Sequence, residues 1–174
     1  TPPFLIAAYN DHPYPGGPGL GVSYSHDGGT TWNPLQLPYP PDPYGGGNFV
    51  DMFDPTATAD ANGNFYVAHI SSDHDWTNGP ASGLYVHSSN DGGVTWNGPL
   101  AVATDGPPVG SPDPNYRFND RCQMTCDINP ASPYYNYLYI VEIKDRGWNN
   151  PLLQSDIYFT TSTDGGATWS SQVI

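Results

Sequence analysis

Ser-His-Asp-Gly-Gly-Thr-Thr-Trp, at residues 25–32, is the first of three near-identical octapeptides in this 174-residue chain. It returns as Ser-Asn-Asp-Gly-Gly-Val-Thr-Trp at 89–96 and as Ser-Thr-Asp-Gly-Gly-Ala-Thr-Trp at 162–169. The aspartates are 64 and 73 residues apart, a period too long for one rung of a solenoid but suited to a four-stranded propeller blade with long loops. The repeat therefore predicts three copies of one β-structured unit.

The composition of the octapeptide is that of a tight hairpin turn. Its two glycines permit positive φ, and the aspartate can accept hydrogen bonds from turn amides. Alternating apolar and polar residues precede each copy, at 20–24, 84–87 and 157–160, as expected for a strand that leads into the turn. We therefore expect structural roles for the aspartates and tryptophans of the repeat, which are Asp27, Asp91, Asp164, Trp32, Trp96 and Trp169.

The predicted fold is an all-β propeller of four-stranded antiparallel blades, with three blades at about 1–50, 51–115 and 116–174. No stretch shows a sustained 3.6-residue period, and 20 Gly and 20 Pro interrupt the chain too often for long helices. Inner strands are expected at about 56–60 and 122–127, with none in the first blade. Second strands are expected at about 4–9, 64–70 and 137–143.

Charge and hydropathy exclude several classes of function. The net charge is −13, and four Lys plus Arg face seventeen Asp plus Glu, so the chain would repel both nucleic acid and an anionic membrane surface. The longest apolar stretches are about five residues, against ~20 for a membrane-spanning helix. We therefore predict no nucleic-acid partner, no membrane insertion and no organic cofactor.

The two cysteines leave two alternatives open. In one extended strand the Cα atoms of Cys122 and Cys126 would be ~13 Å apart at ~3.3 Å per residue, whereas a disulfide needs ~4.4 to 6.8 Å. They can pair only across a bulge or turn; otherwise they are buried thiols on the same face of the strand.

The octapeptides resemble the Asp-box, or bacterial neuraminidase repeat, of the sialidase superfamily. Phe53-Asp54-Pro55 with Asp60, Asn119-Asp120-Arg121 and residues 127–135 are similar to secreted bacterial members. The resemblance implies six or seven blades and an extracellular or cell-surface location. Three blades would leave open strand edges, so we expect either further blades from a longer parent chain or self-association, as half of a six-bladed assembly or as a polymer.

The resemblance also implies an arginine triad, a tyrosine with a glutamate partner, and an aspartate acid. The Arg-Ile-Pro signature of the family does not occur in this sequence, and Arg117, Arg121 and Arg146 lie in no matching motif. Glu142 is the only glutamate. Tyr139 or Tyr158 could lie beside it, but tyrosine is also a common sheet residue, so no catalytic residue is assigned.

Propeller topology predicts that the loops between second and third strands lie on the same face of the propeller as the starts of the inner strands. Loops held by a rigid scaffold are where binding groups concentrate, and carbohydrates favour aromatic platforms beside carboxylates. The candidate ligand-binding residues on this loop face are Asp54, Trp76, Asp120, Arg121, Arg146 and Trp148. The alternative is that the aspartates cap loops, Arg121 pairs with a neighbouring carboxylate and the tryptophans cover seams between blades.

Asp73 and Asp75 form half of a calcium-loop pattern, which makes Ca²⁺ a further candidate, although the other oxygens of an EF-type loop are missing. Three functions follow from these observations. The first is a non-catalytic module that binds a glycan or cell-surface polysaccharide or builds a surface assembly. The second is a sialidase-type glycoside hydrolase with blades outside these residues, and the third is a structural subunit that polymerises through its blade edges.

Overall fold

Ten β-strands form three antiparallel sheets in the computed structural model, which describes residues 3–11, 19–73, 81–106, 117–146 and 154–174. The strands are β1 Leu5–Asp11, β2 Gly19–Ser25, β3 Asn33–Gln36, β4 Asp51–Ala59, β5 Phe65–Ser72, β6 Ser82–Ser89, β7 Asn97–Asp105, β8 Arg117–Cys126, β9 Leu138–Arg146 and β10 Gln154–Ser162. The described residues include no helix, and so none that could cross a membrane. The predicted all-β fold is confirmed.

Each sheet is a meander in chain order. The first sheet is β1-β2-β3, the second β4-β5-β6-β7 and the third β8-β9-β10. The described part of the first sheet has no strand before β1. In the third sheet, residues 170–173 pair with β10 through two hydrogen bonds between Phe159 and Val173, where a fourth strand would lie.

The inner strands β4 and β8 begin at Asp51 and Arg117, about five residues earlier than the sequence suggested. The prediction was wrong there because Asp54-Pro55 and Asp120-Arg121 are typical of loops. In the structure both pairs lie within strands, at β-bulges that absorb the extra residue without ending the ladder.

Each octapeptide, called an Asp-box from here on, begins at the last residue of a third strand, and the first two connect that strand to the fourth. In the second box, Asp91 accepts hydrogen bonds from Ser89 Oγ at 2.8 Å, Thr95 N at 3.0 Å and Thr95 Oγ1 at 2.5 Å. The same set recurs at Asp27 and Asp164. Hydrogen bonds from the threonine lower the pKa of all three aspartates to about 2.

The glycines of the second and third boxes also pack against the sheet that precedes each box. All six box glycines have φ between 71° and 93°. A Cβ on Gly93 would lie 2.9 Å from Cβ of Tyr24 in the first sheet, and one on Gly166 would lie 3.3 Å from the ring of Tyr66 in the second. The box therefore needs glycine both for its backbone angles and for the close approach of neighbouring sheets.

Two apolar cores lie between the three sheets. Val22, Met52 and Val67 belong to the core between the first and second sheets, with Trp96 packed against it. Ile70, Leu84, Met124 and Ile140 belong to the core between the second and third sheets, with Trp169 packed against it. In both cores the tryptophan of a box covers the contact with the preceding sheet.

A pair of histidines is buried on the side of the second sheet that faces the first. His69 Nε2 and His87 Nε2 are 3.2 Å apart, so one imidazole donates and the other accepts. Burial lowers the pKa of His69 to about 4, and burial together with the nearby His69 lowers that of His87 to about 3. Both rings are therefore neutral near pH 7.

The cysteines are free thiols, Cys122 fully buried and Cys126 partly buried. Both contact the core between the second and third sheets. Burial raises the pKa of Cys122 well above its ordinary value and that of Cys126 to about 11.

Gly93→Ala should destabilise the protein more than Gly63→Ala. Both glycines have positive φ, which costs about 1–2 kcal/mol for alanine. Only Gly93 has neighbours where the new methyl group would lie, which should add about 1–3 kcal/mol of overpacking. Urea unfolding of the two variants measures the difference, and equal losses would show that the box glycines do not hold the sheets together.

The stability of the wild-type chain should fall relative to that of His87→Gln as the pH decreases from about 7 to 4. The folded pKa is lower than the unfolded one, so the unfolded state binds more protons and acid favours it, by up to ~1.4 kcal/mol per pH unit for each histidine. Glu142, whose folded pKa is raised to about 7, loses its contribution as the pH rises, but it is present in both proteins. If the free energies of unfolding of the two proteins changed equally between pH 7 and pH 4, the lowered pKa of His87 would be contradicted.

Candidate functional site

The two bulged inner strands carry their extra residue at equivalent positions. In β4, the two residues between Phe53 and Thr56 lie opposite the single residue His69. In β8, the two residues between Asp120 and Gln123 lie opposite the single residue Glu142. Aligned in this way, Asp54 corresponds to Arg121. Both have left-handed backbone, with φ of 52° and 41°. Such angles are costly for residues other than glycine and persist only where surrounding contacts impose them.

The contacts that hold Asp54 come from the sheets on either side. Its backbone N donates to Oδ1 of Asn10 in β1 at 2.9 Å, and its carbonyl oxygen accepts from the Cys122 thiol at 3.6 Å. The backbone of this single residue thus links all three sheets through polar contacts. The strained backbone is held by tertiary contacts, which local sequence cannot reveal.

Asp54 and Arg121 line one cavity of about 460 Å³ where the three sheets meet. The other lining residues are Asn10, Pro55, Cys122 and Gln123. Two of the residues that the sequence suggested for the loop face are therefore brought together by equivalent bulges in adjacent sheets. Asn10 lies in β1, one residue beyond the strand that the sequence predicted at about 4–9.

Asp120, next to Arg121 in β8, belongs to an acidic environment. Burial raises the pKa of its carboxyl group, and the negative charges of Asp145 and Asp54 raise it further, while Arg121 partly opposes them. The carboxyl group of Asp120 thus interacts with two other carboxylates and with one guanidinium group. The cavity lining itself contains one carboxylate, Asp54, and one guanidinium group, Arg121, and Asp120 lies next to Arg121 in the chain.

Arg146 lies elsewhere, and its prediction as a residue of a loop was wrong. It is the last residue of β9 and forms an ion pair with Asp156 in β10. Arg117 is also outside the cavity lining, with its guanidinium carbon 5.5 Å from the ring centre of Tyr158. Among the three arginines only Arg121 lines the cavity, so the described residues form no arginine triad there.

Trp76, Trp148 and Asp75 lie outside the described residues. Asp73 is described, and its backbone N donates to the carbonyl oxygen of Ala81 at 3.1 Å. Within the ranges that the structure describes, no group of three or more His, Cys, Asp or Glu side chains has a geometry that could hold a metal ion.

A buried ionic network, which sequence reasoning missed, lies between the second and third sheets. Lys144 Nζ is 2.5 Å from Oδ2 of Asp105 and 3.6 Å from Oε1 of Glu142. Burial raises the pKa of Glu142 to about 7. The two-residue period of the strand could have indicated that Glu142 and Lys144 are buried, because they continue the alternation of the buried residues Leu138 and Ile140.

Tyr158 lies directly opposite Glu142 across the β9–β10 ladder, whereas Tyr139 points to the other face of the sheet. The hydroxyl of Tyr158 and Oε2 of Glu142 are buried and have no hydrogen-bond partner among the described atoms. Neither residue lines the cavity that contains Arg121. This tyrosine–glutamate pair is part of a contact between sheets and does not form a nucleophilic pair in an open site.

A second polar cavity of about 400 Å³ lies on the side of the Asp-boxes. Its two carboxylates are already engaged: Asp60 accepts from Asn62 N, Asn64 N and the hydroxyl of Tyr66, and Asp164 is held within its own box. The remaining lining side chains are neutral. This cavity therefore lacks the available charge that distinguishes the one beside Arg121.

Comparison with known proteins identifies the fold. No family model and no curated protein matches the sequence. The α-L-arabinofuranosidase of Fusarium graminearum, solved with arabinobiose, matches with a TM-score of 0.64 at 18% identity over 98% of this chain and 44% of that one. The α-L-arabinanase of Penicillium chrysogenum, also with arabinobiose, gives 0.58 at 16% identity, over 98% and 45%.

A Hadza microbial sialidase matches with a TM-score of 0.55 at 20% identity, over 95% of this chain and 34% of the sialidase. These likenesses show the fold, a sialidase-like β-propeller. The chain spans less than half the length of each of these structures.

The Arg121→Gly variant should be more stable than the Arg121→Ala variant. At an ordinary strand position the alanine variant would be the more stable of the two. Arg121→Gly relieves left-handed backbone that Arg121→Ala retains, a difference of about 1 kcal/mol. At Gln123, two residues along the same strand, Gln123→Gly should instead be about 0.5–1 kcal/mol less stable than Gln123→Ala. Urea unfolding of the four variants tests this, and the same order at both positions would argue against strain at the bulge.

Proposed function

We propose that this chain, a three-sheet segment with the sialidase-like β-propeller fold, recognises a neutral glycan in the cavity beside Asp54 and Arg121. The observation that carries the proposal is the convergence of two non-glycine residues in left-handed backbone, from equivalent bulges of adjacent sheets, on one cavity. Strained backbone of this kind clusters at ligand sites, where it aims side chains that a regular strand would place elsewhere.

The lining groups suit the hydroxyl groups of a sugar. Arg121 offers a planar set of N–H donors, Asp54 offers acceptor oxygens, and the amide of Gln123 can both donate and accept. Hydrogen bonds to charged groups are stronger than those between neutral partners. Arg121 and Asp54 together therefore supply a donor and an acceptor on a rigid scaffold.

The local charge favours a neutral sugar over an acidic one. Asp120, next to Arg121, interacts with both Asp54 and Asp145, and the whole chain carries a net charge of −13. A carboxylate sugar would gain one ion pair with Arg121 but would meet the negative charge of Asp54 in the lining and the overall negative charge of the chain. A neutral oligosaccharide avoids that repulsion.

Glycoside hydrolysis is the second candidate, favoured by the raised pKa of Asp120 beside two other carboxylates. Two carboxyl groups whose environments separate their pKa values are the acid and base pattern of glycosidases. The chain spans less than half of the enzymes that it resembles in fold, so a complete catalytic site would need residues beyond those described here.

An extracellular location is part of this proposal and rests on the Asp-box resemblance.

Arabino-oligosaccharide binding should be lost in Arg121→Ala and kept in Arg117→Ala. The expected loss is about tenfold or more, from one charged hydrogen-bonding group. Arg117 is the matched control because it lies outside the cavity lining. Isothermal titration with arabino-oligosaccharides, and with sialyllactose as the acidic comparison, measures both variants.

Equal loss in the two arginine variants, or no binding of any neutral sugar by the wild-type chain, would overturn the proposed site. Tighter binding of sialyllactose than of the neutral sugars would overturn the choice of ligand class. Release of reducing sugar that stops in Asp120→Asn would establish the second candidate function.

A further inference from the structure

The polar cavity of about 400 Å³ beside the Asp-boxes is formed by the second and third sheets and their turns. We call it the amide cavity after its five asparagine side chains, Asn62, Asn64, Asn90, Asn97 and Asn136. Asp54 lines the cavity beside Arg121, whereas Asp60, after the end of β4, lines the amide cavity. At ~3.3 Å per residue of extended chain, these two aspartates are roughly 20 Å apart. The amide cavity is therefore a separate candidate site, with a volume in the usual range for ligand pockets of about 300–1,000 Å³.

The contact between the first and second sheets contains an equivalent place, which the strand registers identify. The first residue of each second strand pairs with the serine that opens the box, as in Leu5–Ser25 and Phe65–Ser89. The residue before that strand therefore corresponds between sheets, Phe4 to Asn64. The second residue of the box corresponds in the same way, His26 to Asn90.

Between the first and second sheets, two aromatic rings pack on a glycine of the second box. The rings of Phe4 and His26 stack with their centres 4.1 Å apart. His26 Nε2 donates to the carbonyl oxygen of Gly92 at 2.9 Å. A Cβ on Gly92 would lie 2.6 Å from His26 Nε2 and 2.7 Å from Cδ2 of Phe4. The rings thus fill the space beside this glycine.

Gly165, the counterpart of Gly92 in the third box, lies in open space. Among the described atoms, a Cβ on Gly165 would come within 4 Å only of the Tyr66 hydroxyl, at 3.4 Å. Gly92 is buried, whereas Gly165 is exposed. Asn64 and Asn90, which replace the two rings, both line the amide cavity together with Gly165. The amide cavity is therefore the space that aromatic rings fill between the first and second sheets.

The side chains around this space suit hydroxyl groups. An asparagine amide donates through its nitrogen and accepts through its oxygen, and a sugar hydroxyl also does both. Nδ2 of Asn64 donates to Oδ2 of Asp60 at 2.8 Å, which directs the amide oxygen of Asn64 to act as an acceptor. Oδ1 of Asn136 accepts from Ala61 N at 3.0 Å, which directs its nitrogen to act as a donor. Two of the amides are thus oriented by the protein.

The charges of the lining favour a neutral ligand over an ion. None of the described lining residues is lysine, arginine or histidine, so an anion would meet no positive charge. Asp60 already accepts four hydrogen bonds from neighbouring N–H and O–H groups. Asp164 is held by the serine and threonine of its own box. A cation would have to displace these donors before either carboxylate could bind it.

A smaller cavity of about 300 Å³ adjoins the amide cavity and adds apolar contacts. The two cavities share Ser88, Asn97 and Gly165, and the smaller one is also lined by Val86 and Leu100. Leu100 is 38% exposed, so part of its surface is accessible to a ligand. A sugar ring carries hydroxyl groups at its edge and C–H groups on its faces. It can therefore bond to amides and bury apolar surface at the same time.

We propose that the amide cavity binds a neutral saccharide unit in the space that two aromatic rings fill between the first and second sheets. Its hydroxyl groups bond to the amides of Asn90 and Asn97, and a C–H face of the ring packs toward Leu100. This site is separate from the one proposed beside Arg121. Because its hydrogen bonds join neutral partners, we expect a dissociation constant of about 1 mM.

Side-chain amide resonances of the isotope-labelled whole chain report on the two cavities separately. Arabinobiose or lactose, titrated to about 50 mM, should shift the side-chain signals of Asn90 and Asn97 in a saturable way. The side-chain signals of Gln123 and Asn10 report on the other cavity. The shifts at the two amide-cavity asparagines should persist in Arg121→Ala, which lacks the guanidinium group of the other cavity.

Asn90→His should place an imidazole in the amide cavity, as His26 lies against Gly92. It should weaken binding there about tenfold or more, because it removes an amide and fills the space. Asn33→His is the matched control, since Asn33 is exposed in the first sheet outside the cavity lining, and it should bind like wild type. Asn97→Ala, at an exposed position, should weaken binding about three- to tenfold and replaces Asn90→His if circular dichroism shows that variant unfolded.

Shifts confined to Gln123 and Asn10 would overturn this inference and leave the proposed function standing. Shifts confined to Asn90 and Asn97 would support it and count against the site beside Arg121. Larger shifts at these asparagines with calcium chloride or sialyllactose than with the neutral sugars would overturn the ligand class. Unchanged binding in folded Asn90→His, or equal weakening in Asn33→His, would show that the sugar does not occupy this cavity.

Discussion

The close packing of the second and third Asp-boxes on the sheets that precede them is the constraint from which the rest of the structure follows. The threonine and serine of a box hold its aspartate, as at Asp91, and so fix the turn. Glycine then lets the turn approach the neighbouring sheet, where Gly93 meets Tyr24 and Gly166 meets Tyr66. Because the same turn makes the same contact twice, consecutive sheets take up a repeated arrangement, and the box tryptophans Trp96 and Trp169 cover the cores between them.

That repeated arrangement also creates the candidate site. Bulges at the same place in β4 and β8 put Asp54 and Arg121 at equivalent positions, and the packing of sheets brings both to one cavity. The hydrogen bond from Asp54 N to Asn10, and the contact of its carbonyl oxygen with Cys122, join three sheets at a bulge with left-handed backbone. Sheet packing and site geometry therefore depend on each other, since a shift of either neighbour would remove a contact that holds the bulge.

Each contact between sheets also contains buried polar side chains. His69 and His87 lie between the first and second sheets, and Lys144, Glu142 and Asp105 between the second and third. By position, Glu142 corresponds to His69, because each lies opposite the bulge of its inner strand. The equivalent positions in the two sheets thus hold a base, His69, and an acid, Glu142. His69 is neutral and Glu142 lies near Lys144, because burial penalises an isolated charge.

The amino-acid sequence alone determined the repeating unit, the strand order around each box and the absence of an arginine signature, because turns and strand alternation are local properties of the chain. It also selected Asp54 and Arg121, but it placed them in loops and grouped them with Arg146. Only the tertiary structure decided that these two residues line one cavity, that Arg146 pairs with Asp156 and that Glu142 and Lys144 are buried. The reason is physical: a bulge with positive φ at Asp54 is held by contacts from two other sheets, and no stretch of local sequence contains those partners.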